Sequence, residues 1–141
     1  MKEIQFYVLV VVTVALECGL ILAGVLTPLS SYSIGNILFG LAVIAIVIYM
    51  GWNFSKIGLK NVAIKAVIAA LINMAVISLA TLIGYNIKKP VLGISLSSIN
   101  YLPVALLSSS VANILIFTFV AVLGALLAQK LKPRQKSKKK R

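Results

Sequence analysis

Histidine and aspartate are absent from this chain, glutamate occurs twice, and cysteine occurs once, as Cys18. These gaps remove whole chemistries. Without histidine there is no Ser-His-Asp triad, no His-held zinc and no His-ligated haem. A single cysteine forms no internal disulfide. With only two carboxylates, one beside the chain terminus at Glu3, and no glycine-rich phosphate loop, neither an enzyme nor a cofactor or metal site is expected.

Charge is scarce as well. Charged residues make up 11 % of the chain against 61 % hydrophobic, and the mean hydropathy is +1.09. Soluble domains average roughly a quarter charged residues, so the balance is that of an integral membrane protein. The formal net charge of +12 could suggest a nucleic-acid partner, but eight of the fourteen basic residues lie within Lys130–Arg141. A block of this kind at a chain end reads as a disordered polybasic tail, over 131–141, beside one membrane domain over 1–130. Its plainest partner is the anionic cytoplasmic leaflet, at about 1 kcal/mol per basic residue near the surface. Binding of ribosomal RNA, as by insertase tails, and simple topology determination are the alternatives.

Four long apolar runs predict an all-α, four-helix membrane bundle with spans over about 4–26, 34–54, 62–85 and 103–130. Pro28 and the pair Ser30 and Ser31 are expected to break the first run, and Asn100 with Pro103 to open the fourth. The first run is about 35 Å long as a helix. It follows a single lysine offset by Glu3 and precedes no A-x-A site, so it reads as a span and not as a cleaved signal. Placing both termini in the cytoplasm puts Lys2, Lys56, Lys60, Lys65 and the tail inside and only Lys88 and Lys89 outside. That distribution predicts a multi-pass protein of the cell membrane with an external loop over about 86–100. In that loop, Ile94 to Ser97 alternates and could lie along the interface; an ordinary polar connection is the plainer reading. Trp52 to Lys56 reads as an aromatic belt with a snorkelling lysine.

A faint repeat runs through the chain. The second and fourth spans are read as beginning alike, with SIGNIL from Ser33 and SVANIL from Ser110, aligning Asn36 with Asn113. An offset of 56 lays Glu17 on Asn73. Two tandem helix hairpins, parallel and not inverted, are the simplest account.

Glu17 is the outlying residue, a carboxylate near the middle of the first span. Its insertion cost of about 3 kcal/mol is offset by the span's Leu, Ile, Val and Phe residues, worth roughly −4 to −8 kcal/mol together. Asn73 lies at matched depth on a parallel helix and is the expected partner. Lys65, Ala69 and Asn73 share one face that leads to that depth from the cytoplasmic surface. The pathway residues are therefore expected to be Glu17, Asn73, Lys65, Asn36 and Asn113. Ala15, Gly19 and Ala23 recur every fourth residue, as do Ala121 with Ala125 and Gly124 with Ala128, and are expected to bring helix backbones together within the monomer.

Two functional readings follow. In the first, the protein is a small transporter or flippase-like component moving a polar or lipid-linked substrate, with Glu17 and Asn73 as its polar centre and Lys65 attracting an anionic headgroup. In the second, it is a non-catalytic accessory or structural subunit of a larger membrane complex, or a homodimer, with the polar pair as packing glue. Ala15-Leu16-Glu17, Gly35-Asn36, Trp52-Asn53-Phe54-Ser55-Lys56 and Leu71-Ile72-Asn73 together resemble the GtrA-like family of small four-helix membrane proteins. The resemblance implies translocation of polyprenyl-phosphate-linked sugars. The chain departs from the family pattern in lacking an early glycine in the first span, doubled basic residues beside Asn53, and an aromatic box after the fourth span.

Overall fold

A computed structural model describes residues 2–94 and 100–131. Ser95 to Ser97 of the alternating run and nearly all of the polybasic tail lie outside these residues. The described chain is all-helical: α1 (Glu3–Leu22), α2 (Ile34–Phe54), α3 (Leu59–Asn86) and α4 (Leu102–Leu131), with short 3-10 turns at Leu29–Ser31 and Ser55–Ile57 and no strand among the described residues. All four helices are long and apolar enough to cross a membrane, by length and composition.

The start of α1, the end of α4 and the α2–α3 connection lie at one end of the bundle, here the terminal end; the end of α1, the start of α2, the end of α3 and the start of α4 form the loop end. Around the bundle the order is α1, α2, α4, α3, so each hairpin packs against the other through its like-directed helices. Apolar side chains fill the middle: Phe6, Val10 and Val14 of α1 meet Val47 and Met50 of α2, Val62 and Ala66 of α3, and Ala121 and Ala125 of α4. The outer surface is apolar too, with Ile4, Val12, Leu16, Leu79, Leu115 and Phe119 exposed.

Two helix bounds differ from the hydropathy reading: α3 starts at Leu59, three residues before Val62, and α1 ends early. α1 stops at Leu22, four residues early, because the chain turns at Gly24 and not at Pro28. Gly24 has φ +80°, its N–H donates to the Ile21 carbonyl, and the Val25 N–H donates to the Leu20 carbonyl, both at 2.9 Å. This pair of bonds closes a helix in a Schellman turn whose left-handed residue favours glycine. α3 ends the same way without glycine. Lys88 takes φ +59°, its N–H donates to Tyr85 at 3.2 Å, and the Lys89 N–H donates to Gly84 at 2.7 Å.

The repeat is also sharpened. Glu17 and Asn73 each lie fourteen residues beyond the first residue of their helices. SIGNIL and SVANIL do not mark equivalent starts, however. Ser33 caps α2, accepting from the Asn36 N–H at 3.3 Å. Ser110 lies inside α4, where its hydroxyl donates to the Leu106 carbonyl at 2.7 Å.

Small residues act in two opposite ways. On α4 they are buried, and α2 and α4 approach to backbone contact: a Cβ on Gly51 would meet the Ala121 carbonyl, and one on Gly124 would meet the Ile48 carbonyl. On α1 the expected packing within the monomer does not occur. Ala15, Gly19 and Ala23 all face outward, and a Cβ on Gly19 would touch nothing within 4 Å. The same spacing therefore carries a contact on one helix and an open face on the other.

Two matched substitutions test this packing. Gly51→Ala forces α2 and α4 apart and is expected to destabilise the bundle by about 1–3 kcal/mol. Gly19→Ala is expected to be neutral or slightly stabilising, since alanine favours helix over glycine by up to about 1 kcal/mol. Unfolding midpoints of both variants in detergent micelles provide the measurement; equal midpoints would refute the close α2–α4 crossing. At the turn, Gly24→Ala strains a positive φ and is expected to lower stability by about 1 kcal/mol in the same assay.

Candidate functional site

Glu17 points inward from α1, on the side away from the Ala15–Gly19–Ala23 stripe, and is 7 % exposed. It lines a cavity of about 180 Å³ together with Asn73 of α3 and Asn113 of α4. The remaining walls are apolar, among them Val14, Val43, Ile77 and Phe117. The cavity therefore brings together three residues singled out in the sequence, from three different helices.

Their hydrogen bonds differ from the expected Glu17–Asn73 pairing. The Asn73 amide Nδ2 donates to Asn113 Oδ1 at 2.9 Å. Asn113 Nδ2 in turn donates to the Ser109 carbonyl at 2.9 Å and approaches Met74 Sδ at 3.2 Å. Asn113 is thus satisfied on both sides. Asn73 is satisfied on one side only: it is 5 % exposed, and its carbonyl Oδ1 is buried without a partner. Glu17 makes no hydrogen bond or ion pair with any described residue. A buried carbonyl without a donor costs roughly 1–3 kcal/mol, and Glu17, lining the same cavity, also has its hydrogen-bonding capacity unused.

A second cavity, of about 380 Å³, lies at the loop end between the α1–α2 connection and the first turns of α4. Ser30, Tyr32, Ile94 and Ser109 are among its lining residues, and it shares Ile77 and Asn113 with the Glu17 cavity. These two side chains therefore stand between an outer vestibule and the polar centre. No lysine or arginine lines either cavity among the described residues.

The terminal end is closed. Phe6 packs against Tyr49 and Phe54 with ring centroids 5.7 and 5.6 Å apart. Lys65 pairs with Glu3 and sits 5.2 Å from the centre of the Phe54 ring, while the Tyr7 hydroxyl donates to Glu3 at 2.8 Å. Gln129 Nε2 donates to the Ser55 carbonyl at 3.1 Å, tying the end of α4 to the α2–α3 turn. Lys65 thus belongs to this closure and lines neither cavity. Phe54 faces inward as part of it, which an aromatic belt facing lipid would not do.

Asn36 is apart from both groups. Its Nδ2 donates to the carbonyls of Thr27 and Pro28 at 3.1 Å each, so it holds the α1–α2 connection onto the start of α2. Sequence reasoning missed Ser109, Met74 and Phe117 as neighbours of the polar centre. The run of three serines at Ser108–Ser110 inside an apolar stretch was the one available signal, since a polar cluster there suits a cavity wall. The chain matches no protein-family model, no curated protein and no solved structure.

Proposed function

We propose that this chain is a multi-pass protein of the cell membrane with both termini cytoplasmic, and that it works as a small transporter or flippase-like component. The outward-facing apolar side chains of all four helices support placement in a bilayer, where lipid covers them. One observation carries the transport reading: Glu17 is not sealed between helices but lines a cavity whose wall residues Ile77 and Asn113 also line a vestibule at the loop end. An intramembrane carboxylate facing a cavity is the usual mark of a substrate or ion pathway. The Phe6–Tyr49–Phe54 cluster and the Glu3–Lys65 pair at the terminal end, with the vestibule at the loop end, support a carrier reached from the loop side. The resemblance to GtrA-like proteins agrees with a translocating role.

The second reading, an accessory subunit or homodimer, has its own support in the exposed stripe of Ala15, Gly19 and Ala23, which is the kind of surface that receives another helix closely. The two readings differ in what Glu17 does. On the transport reading, Glu17→Gln leaves oligomer or complex assembly unchanged while complementation of a deletion strain falls at least tenfold. Loss of assembly together with complementation would favour the subunit reading instead.

Sidedness supplies a second measurement. Because Cys18 is the only cysteine, Cys18→Ser gives a cysteine-free background. In it, Ser109→Cys is expected to react with a membrane-impermeant thiol reagent from the side opposite the termini, and Val47→Cys from neither side. Protection of Ser109→Cys from both sides would remove the vestibule from the pathway.

A further inference from the structure

We infer that the Glu17 cavity takes a small organic ammonium, a protonated primary amine with a compact apolar body, and not an anionic headgroup. This rests on the pathway reading above and names its substrate class. The inference follows from the unused hydrogen-bonding capacity of the site. Glu17 offers two carboxylate oxygens without a hydrogen bond or ion pair from any described residue, and Asn73 Oδ1 is buried without a donor. When ionised, Glu17 presents acceptors only, and an ammonium brings both the compensating charge and the N–H donors to meet them.

The alternatives fit less well. A phosphate or other anion needs donors, and neither cavity is lined by lysine or arginine among the described residues. Lys65, the basic residue nearest in sequence, is held by Glu3 at the terminal end. A bare metal cation needs about six oxygen ligands. Here only Glu17, Asn73 and Asn113 bring side-chain oxygens, and Asn113 Oδ1 already accepts from Asn73. The other walls, Val14, Val43, Ile44, Ile77 and Phe117, are hydrocarbon. They suit an apolar body, and Phe117 supplies a ring face toward a cation. Size agrees: a cavity of about 150 Å³ holds a benzene, and this one is about 180 Å³.

The test uses the full chain in phosphatidylcholine nanodiscs and isothermal titration with benzylammonium, with neutral benzyl alcohol as its uncharged counterpart and farnesyl phosphate as the anionic probe. Benzylammonium is expected to bind at least tenfold more tightly than benzyl alcohol. Glu17→Gln should abolish that preference, and Asn73→Leu should weaken benzylammonium binding several-fold while thermal unfolding confirms that both variants are folded. If Glu17→Gln fails to fold, Asn73→Leu and the charged-against-neutral comparison in the wild type still decide. Equal binding of benzyl alcohol, or an affinity indifferent to both substitutions, overturns the inference. Binding of farnesyl phosphate in place of benzylammonium also overturns it, and leaves the pathway standing if Ser109→Cys still reacts from one side only. Protection of Ser109→Cys from both sides would instead defeat the pathway reading itself.

Discussion

The close crossing of α2 and α4 is the constraint on which the rest of the bundle depends. Gly51 and Gly124 let the two backbones touch at Ala121 and Ile48, leaving no room for side chains between them. That contact lies in the terminal half of both helices, and the buried alanines Ala66, Ala69, Ala121 and Ala125 extend the tight packing around it. Toward the loop end the facing residues are larger and more varied: Ile77, Asn113, Ile116 and Phe117. Side chains of this size hold helices apart, and irregular shapes do not tile the gap completely. The cavities therefore lie on the loop side of the α2–α4 backbone contact, and Gly40 of α2, which fills no space of its own, is part of the wall of the inner one.

Polar groups in such a bundle must find partners among few candidates, and the three asparagines near the bundle interior show three outcomes. Asn36 serves the connection, donating to two loop carbonyls while its own Oδ1 is buried without a partner. Asn113 is satisfied by its own helix and by Asn73. Asn73 gives its amide to Asn113 and keeps its carbonyl unpaired. A hydrogen bond between α3 and α4 at this depth is worth only about 0.6–2 kcal/mol, less than is needed to account for a neighbouring carboxylate as packing glue. Glu17 takes no part in that bond, so cohesion between α3 and α4 does not explain its presence.

Much of the fold was legible because hydropathy is a one-dimensional property. Long apolar runs locate four helices whatever their packing, and α2 spans Ile34–Phe54, the same residues as its apolar run. The end of α1 was less legible because it depends on a single backbone angle, the φ of Gly24. The site was legible in its members and not in its bonds. Depth matching finds Glu17 and Asn73 from helix register alone. The donation from Asn73 to Asn113 depends on how α4 is rotated, and an antiparallel helix of thirty residues can present several faces to its neighbour. The small-residue spacing was ambiguous for the same reason, since periodicity defines a face and not what covers it.

Glu17 by itself says little about function, because the apolar residues of α1 outweigh its insertion cost whatever it does. The informative feature is its coincidence with Asn73 Oδ1. Two acceptors left open at one cavity are two separate free-energy costs, and the surrounding helices supply no donor to either. Turning the Asn73 amide over does not remove its cost, since that amide is already committed to Asn113 and the turn would break the bond. A cationic ligand entering from the vestibule offsets the charge of an ionised Glu17 and takes its affinity from that relief. The same cost returns when the ligand leaves, so it favours the occupied site over the empty one. A site under-satisfied when empty is thus suited to binding a ligand, whereas buried packing glue would have its hydrogen bonds already made.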